Sequence, residues 1–200
     1  MSCPAGTLRF SLDRTNTEAV QWAKTRAARL VTEVTAEARA AIRVVVERAF
    51  VEGLPPREAA RLIRSIVGLT ERDALAVMNR QVALMARGVS PSRAQLMAER
   101  YAGTLHRRRA LVIARTETMA ASNEGQQQLW NQAVRAGHLE ATLRKEWIVT
   151  DDERTCDVCM PLEGTTVPLQ EPFPDFGNPP AHPQCRCTIG VAAEAPRRRA

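Results

Sequence analysis

The chain has 200 residues, of which 44% are hydrophobic and only 4% aromatic, and it carries a net charge of +6. That length fits one ordinary domain, or one domain with a small appendage, and the abundance of Ala, Leu, Val and Arg favours packed helices over a β-sandwich. No stretch approaches the roughly twenty uninterrupted apolar residues of a membrane span, and Met1 to Phe10 lacks the charged-then-apolar layout of a secretory signal, so a soluble, intracellular protein with no membrane partner is expected.

The charge is unevenly distributed. Residues 1–115 hold 20 basic and 10 acidic side chains, residues 116–193 hold 5 and 11, and residues 194–200 hold 3 and 1. A basic half suits contact with nucleic acid or an acidic protein surface, because Arg offers phosphate and carboxylate a bidentate fork. The same arginines also read as solvated helix faces paired with nearby glutamates. Only Lys24 and Lys145 are lysines.

In chain order, Thr15 and Glu18 have capping-box spacing, and an apolar stripe follows through Ala23, Ala27, Leu30, Val34, Ala38, Ala41, Val45 and Ala49. This predicts a sustained helix that Gly53 and Pro55-Pro56 end. Arg57 to Val67 reads as a short helix closed by Gly68. Thr70 to Asp73 then signals another start, with a helix over Ala74 to Arg87 closed by Gly88. Ser90-Pro91 begins the next, and up to Ala136 only Gly103 and Gly125 interrupt it, which predicts one kinked helix or two stacked ones. No internal repeat is present.

After Gly137 the composition changes. Trp147–Thr150, Thr165–Val167 and Thr188–Val191 have strand character, separated by six prolines between Pro161 and Pro180. Such a segment has too little apolar material to close itself. Cys156-x-x-Cys159 and His182-x-x-Cys185-x-Cys187, with 22 residues between the two groups, supply the means. Two close pairs joined by one long loop suit tetrahedral zinc, and a thiolate-rich site without a vacant position stabilises rather than catalyses. Five candidates compete for four positions: Cys156, Cys159, His182 and Cys185, or a set in which Cys187 replaces His182 or Cys185. A disulfide reading is disfavoured by the expected reducing compartment, and a redox C-x-x-C by the lack of a βαβ pattern. The fold expected is mainly α, with long helices in an N-terminal bundle or extended arrangement and a small zinc-stapled α+β module at the C-terminus.

Ala114-Arg115-Thr116-Glu117-Thr118, Trp147, Asp152-Glu153-Arg154-Thr155-Cys156-x-x-Cys159, Leu162-x-Gly164 and Pro179-Pro180-x-His182-Pro183-x-Cys185-Arg186-Cys187 together resemble the phage Mu F-like head morphogenesis family of minor capsid proteins. The resemblance covers roughly residues 105–191. It implies a structural, non-enzymatic component of a virion or phage-like gene-transfer particle, present in the host cytoplasm during assembly and then in the inner head. Its partners would be the portal protein and the inner capsid surface, and it would act in procapsid assembly and in genome packaging or delivery. Three regions follow: an Arg-rich helical region over 1–104, the zinc-bearing module over 105–191 and a basic tail over 192–200.

Within the matching motifs, Arg115 and Glu117 either salt-bridge to the zinc module or lie on an exposed helix face. Asp152, Glu153 and Arg154 are expected to organise the turn before Cys156, by accepting backbone amides and reaching acceptors around the metal. His106 and His138 have no partner cluster and read as surface residues. Arg107-Arg108-Arg109 is the densest basic run of the helical part and the candidate contact for DNA or portal. A DNA-binding packaging accessory protein is therefore the alternative function, although no aromatic platform for stacking accompanies the arginines. A zinc nuclease is excluded by the lack of an Asp-His or His-His pair to activate water, and no small-molecule substrate is expected.

Overall fold

The computed structural model describes residues 16–18, 20, 21 and 35–192. The helix start at Thr15, most of the stripe before Thr35, Cys3 and the arginines of the tail lie outside the described residues. The first helix described in full, α1 (Ala36–Glu52), begins at Thr35, whose backbone is extended and whose hydroxyl accepts the Ala38 amide. The apolar spacing that predicts a helix running through this point is therefore interrupted, because the cap requires an extended residue where the stripe asks for a helical one. Gly53, at φ 67°, closes α1.

Two shorter helices follow. The first, α2 (Pro56–Arg64), places its prolines where no intrahelical donor is needed and buries Ala59, Ala60 and Ile63. It ends three residues before the expected Val67, with Ser65 turned back on Leu62 by a hydroxyl hydrogen bond. In α3 (Glu71–Ala86) the Thr70 hydroxyl accepts the Asp73 amide, as the start signal requires.

The fourth helix, α4 (Pro91–Arg135), runs without a break for 45 residues, or about 68 Å at the usual rise. The alternative of two stacked helices does not hold. Gly103 leaves only ordinary contact to Arg107, and Gly125 is buried.

This helix is shared by two cores. Around its middle lies a cluster of Ile42, Val46, Ala49 and Phe50 from α1, Ala59, Ala60 and Ile63 from α2, Val67, and Ala110, Ile113, Ala114 and Ala121 from α4. The alanines let the helix backbones approach closely. Toward its C-terminal end lies a second cluster, in which Trp130 joins Trp147, Val167, Leu169, Phe173, Ile189 and three cysteines. Asn16 and Gln132 exchange two hydrogen bonds, at 2.7 and 3.0 Å, and Glu18 pairs with Arg135 at 2.5 Å, so the first described residues lie along this same end.

The second core is roofed by an antiparallel sheet of order β2-β1-β3, built from β1 (Arg144–Ile148), β2 (Thr166–Pro168) and β3 (Thr188–Val191). Pro168 ends an edge strand, where its missing donor costs nothing. The central strand begins three residues before the expected Trp147 and ends two before Thr150. Its buried face carries Lys145 and Trp147, opposite Val167 and Ile189. Hydrophobic alternation alone misplaces this strand, because one of its two fully buried side chains is a lysine. Among the described residues no helix is long and apolar enough to cross a membrane.

Candidate metal centre

The first two cysteines lie on a tight knuckle. Asp152 and Thr155 form a turn, Cys159 and Met160 donate to the Cys156 carbonyl, and a short 3-10 turn (Met160–Leu162) leads to Gly164 at φ 70°. Gly164 donates to Trp147 and Trp147 to Thr165, which folds the knuckle against β1. The second group lies beyond the buried Pro179-Pro180 pair, where Cys185 donates to the His182 carbonyl and Gln184 has φ 65°. In that left-handed conformation the Gln184 amide reaches the Thr116 hydroxyl of α4 at 2.8 Å, which seats the loop on the helix.

The two groups meet. His182 Nε2 lies 3.1 Å from both Cys156 Sγ and Cys159 Sγ, and Cys159 Sγ lies 3.7 Å from Cys185 Sγ. Two overlapping triads result, Cys156/Cys159/His182 and Cys159/Cys185/Cys187, each close enough to hold a metal ion, with Cys159 in both. The other ring nitrogen, His182 Nδ1, lies 2.8 Å from the Pro183 carbonyl. A hydrogen bond there places the proton on Nδ1 and presents the Nε2 lone pair to the thiols, the arrangement that metal-ligating histidines adopt. A soft or borderline divalent cation fits this donor set.

The thiols differ electrostatically. Cys156 is lowered to about 7, chiefly by the Cys159 amide, with further help from the Val158 amide and His182. Burial pushes the Cys159 thiol well above its ordinary range, and neighbouring thiols add to the effect. Burial also raises Cys187, against the opposing influence of the Trp147 indole N–H. Bringing a cation to these sulfurs would reverse the penalty that burial places on their charged forms.

The surrounding clamp was only partly legible in the motifs. Asp152 accepts the Arg154 amide at 2.9 Å and pairs with the Arg154 guanidinium at 3.2 Å. Its stronger partner is Arg186, between Cys185 and Cys187, whose two terminal nitrogens meet the two carboxylate oxygens at 2.6 and 2.5 Å. This bidentate pair holds the Asp152 carboxyl far below its ordinary value. Thr150 adds a hydroxyl bond to the Arg186 carbonyl at 3.1 Å. Glu153 is exposed.

Two buried amides of α4 complete the frame. Asn123 donates to the Cys187 carbonyl at 3.1 Å and accepts from Thr188, while Gln127 donates to the Leu169 carbonyl at 2.8 Å. Neither was singled out from the sequence. The available signal was a polar series, Thr116, Asn123 and Gln127, repeating at intervals of seven and four along one helix face.

The remaining candidates separate. Arg115 is exposed, whereas Glu117 is buried at 2% exposure and faces a cleft of about 240 Å³ bordered by Arg72, Arg109, Pro183 and Gln184. The basic run divides as well: Arg108 and Arg109 border that cleft, while Arg107 joins Arg57, Arg61 and Arg64 around a second one between α2 and α4. His138 is exposed as expected, but His106 is half-buried and its Nε2 is shielded from solvent.

The fold and the site thus define a mainly helical protein whose C-terminal module is gathered around a Cys/His cluster able to hold a metal. Residues 40–190 match the family described as Phage Mu protein F like protein, and the chain belongs to that family of structural phage head proteins. The match starts well before residue 105 and takes in most of α1, so residues 40–104, which resemble no family by their motifs, fall within the same family match. No match was found among curated proteins or among solved structures.

Proposed function

We propose that this chain is a minor head protein of a phage or phage-like gene-transfer particle, without enzymatic activity or small-molecule substrate. It acts in head and procapsid assembly beside the portal and the inner capsid surface, in the host cytoplasm during assembly and then in the virion. The observation that carries this reading is the family match over 40–190, which spans both cores. In this reading residues 1–104 are the helical contact region, 105–191 the metal module and 192–200 a basic tail, with α4 crossing from the first region into the second. Mass spectrometry of purified particles, together with pull-down by the portal protein of the same genome, tests it. The protein is expected in both, and its absence from both would sink the proposal.

The metal proposed is zinc, held by Cys156, Cys159, His182 and Cys185, with Cys187 in place of His182 or Cys185 as the alternative. The His182 geometry and the central place of Cys159 support it. Asp152 and Arg186 join the two ligand-bearing segments, so Asp152→Asn is expected to weaken zinc binding by about tenfold to a hundredfold, the usual effect of losing such a support. Competition against a fluorescent chelator measures it, and unchanged affinity would show the clamp to be irrelevant to the metal. Because the Asp152 carboxyl is depressed from 3.8, its contribution is complete above that value and is lost only as the pH falls below it.

A DNA-binding packaging role is the second reading, favoured by the convergence of Arg57, Arg61, Arg64 and Arg107. Phosphate contacts would make affinity fall with salt by roughly 0.9 log units per contact per tenfold rise in salt. Weak duplex binding even at low salt, with portal association intact, is the result expected here. Submicromolar binding at physiological salt, lost when Arg107, Arg108 and Arg109 become Ala, would make DNA the primary partner.

A further inference from the structure

Lys145 is buried at 1% exposure in a chain with only one other lysine. Its Nζ donates to Asn178 Oδ1 at 2.8 Å and to Gln127 Oε1 at 2.5 Å, and lies 5.3 Å from the centre of the Phe173 ring. The Asn178 amide nitrogen donates to Glu124 Oε2 at 3.4 Å. An amine, a carboxamide and a carboxylate therefore meet beside an aromatic wall, and none of them is a candidate metal ligand. A cation wanted only for charge could be arginine, which this chain uses almost everywhere else. Arginine, however, cannot become a neutral nucleophile, and lysine can.

We propose that Lys145 and Asn178 join in an intramolecular isopeptide bond, with Glu124 as proton carrier. The neutral Nζ attacks Asn178 Cγ, and the proton it sheds passes to Glu124. Glu124 returns that proton to Nδ2, the Cγ–Nδ2 bond breaks and ammonia leaves. One C–N bond forms and one breaks, so no oxidant or further reactant is needed. Burial lowers Lys145 to about 8, against the opposing charge of Glu124, which leaves part of the amine neutral near neutral pH.

Two features select Asn178. The Gln127 carboxamide is nearer still, at 2.5 Å, but its nitrogen is committed to the Leu169 carbonyl at 2.8 Å and to Asn131 Oδ1 at 3.0 Å, and neither can give a proton to a departing amide nitrogen. Asn178 precedes Pro179, which has no N–H to attack the side chain, so the ordinary cyclisation that consumes asparagine amides is closed. The bond would tie β1 to the Pro-rich segment leading to His182, across 33 positions of sequence, without help from the metal.

The test is the mass of the intact full-length protein, denatured in reductant and chelator so that neither disulfides nor metal contribute. The expected value is about 17 Da below the sequence mass, one ammonia lost to the amine nucleophile. Tryptic digestion should then fail at Lys145 and yield its peptide joined to the one containing Asn178. Glu124→Gln should keep the full mass and the wild-type circular dichroism. Folded wild-type protein at the full sequence mass after prolonged incubation at mildly alkaline pH, with Lys145 open to trypsin, would overturn the proposal. Loss of ammonia in the Glu124 variant would overturn the role given to that residue.

Discussion

Cys159→Ser is expected to reduce bound zinc from about one ion per chain to background by elemental analysis, since serine is a poor ligand for a borderline-soft cation. No other position should have so large an effect, because Cys159 alone belongs to both triads and is 4% exposed. Structural zinc in small modules contributes on the order of 10 kcal/mol or more of apparent folding free energy. Residues 150–191 should therefore become open to limited proteolysis. Most of the far-UV helical signal should persist, because the cluster around Ile42, Ile63 and Ala114 contains no residue beyond Ala121 and so none of the ligand-bearing segments. Some loss is expected at the C-terminal part of α4, where Asn123, Gln127 and Trp130 would lose their partners. Retention of stoichiometric zinc would refute the ligand assignment. Complete unfolding would instead show that the two cores form one cooperative unit.

Trp147→Ala should destabilise the protein by about 3–5 kcal/mol, the range for deleting a fully enclosed large aromatic side chain. The indole has 0% exposure and meets Phe173 edge to face at 5.2 Å. It lies opposite Ile189 in the sheet and packs in the same cluster as three of the cysteines. For a chain of this size the loss corresponds to a fall of about 10 °C in the melting midpoint. Trp147→Phe should recover part of it, and Met160→Ala, at a side chain 59% exposed, should change little. Urea titration with an unchanged slope would attribute the effect to stability rather than to a changed unfolded state. A loss below about 1 kcal/mol would mean that the cavity collapses around Phe173 and that the indole is not the centre of this core.

Much of this protein is written in local chemistry. Gly53, Thr70, Gly88 and Ser90-Pro91 mark helix ends within a residue or two of where they fall, because capping depends on a few adjacent residues. The five candidate ligands are likewise legible, since coordination chemistry admits few residue types and the spacing brings them in two groups. The interruption at Thr35 was harder to see, because its hydroxyl cap competes with an apolar stripe that continues past it.

What the sequence by itself determined was the fold class, most of the helix limits and the residues available to a metal. These rest on periodicity, backbone stereochemistry and ligand type, all of which act over a few neighbouring positions. Only the tertiary structure decided that Arg186 clamps Asp152, that Asn123 and Gln127 of α4 hold the module, and that Lys145 rather than Thr150 belongs to the central strand. Asn123, Gln127 and Lys145 are polar residues whose burial is tolerated because a partner 18 to 64 positions away satisfies each of them, and Arg186, one-third exposed, finds Asp152 at a distance of 34 positions. The free energy of a buried polar group depends on that partner, and the partner is brought near only by the completed fold.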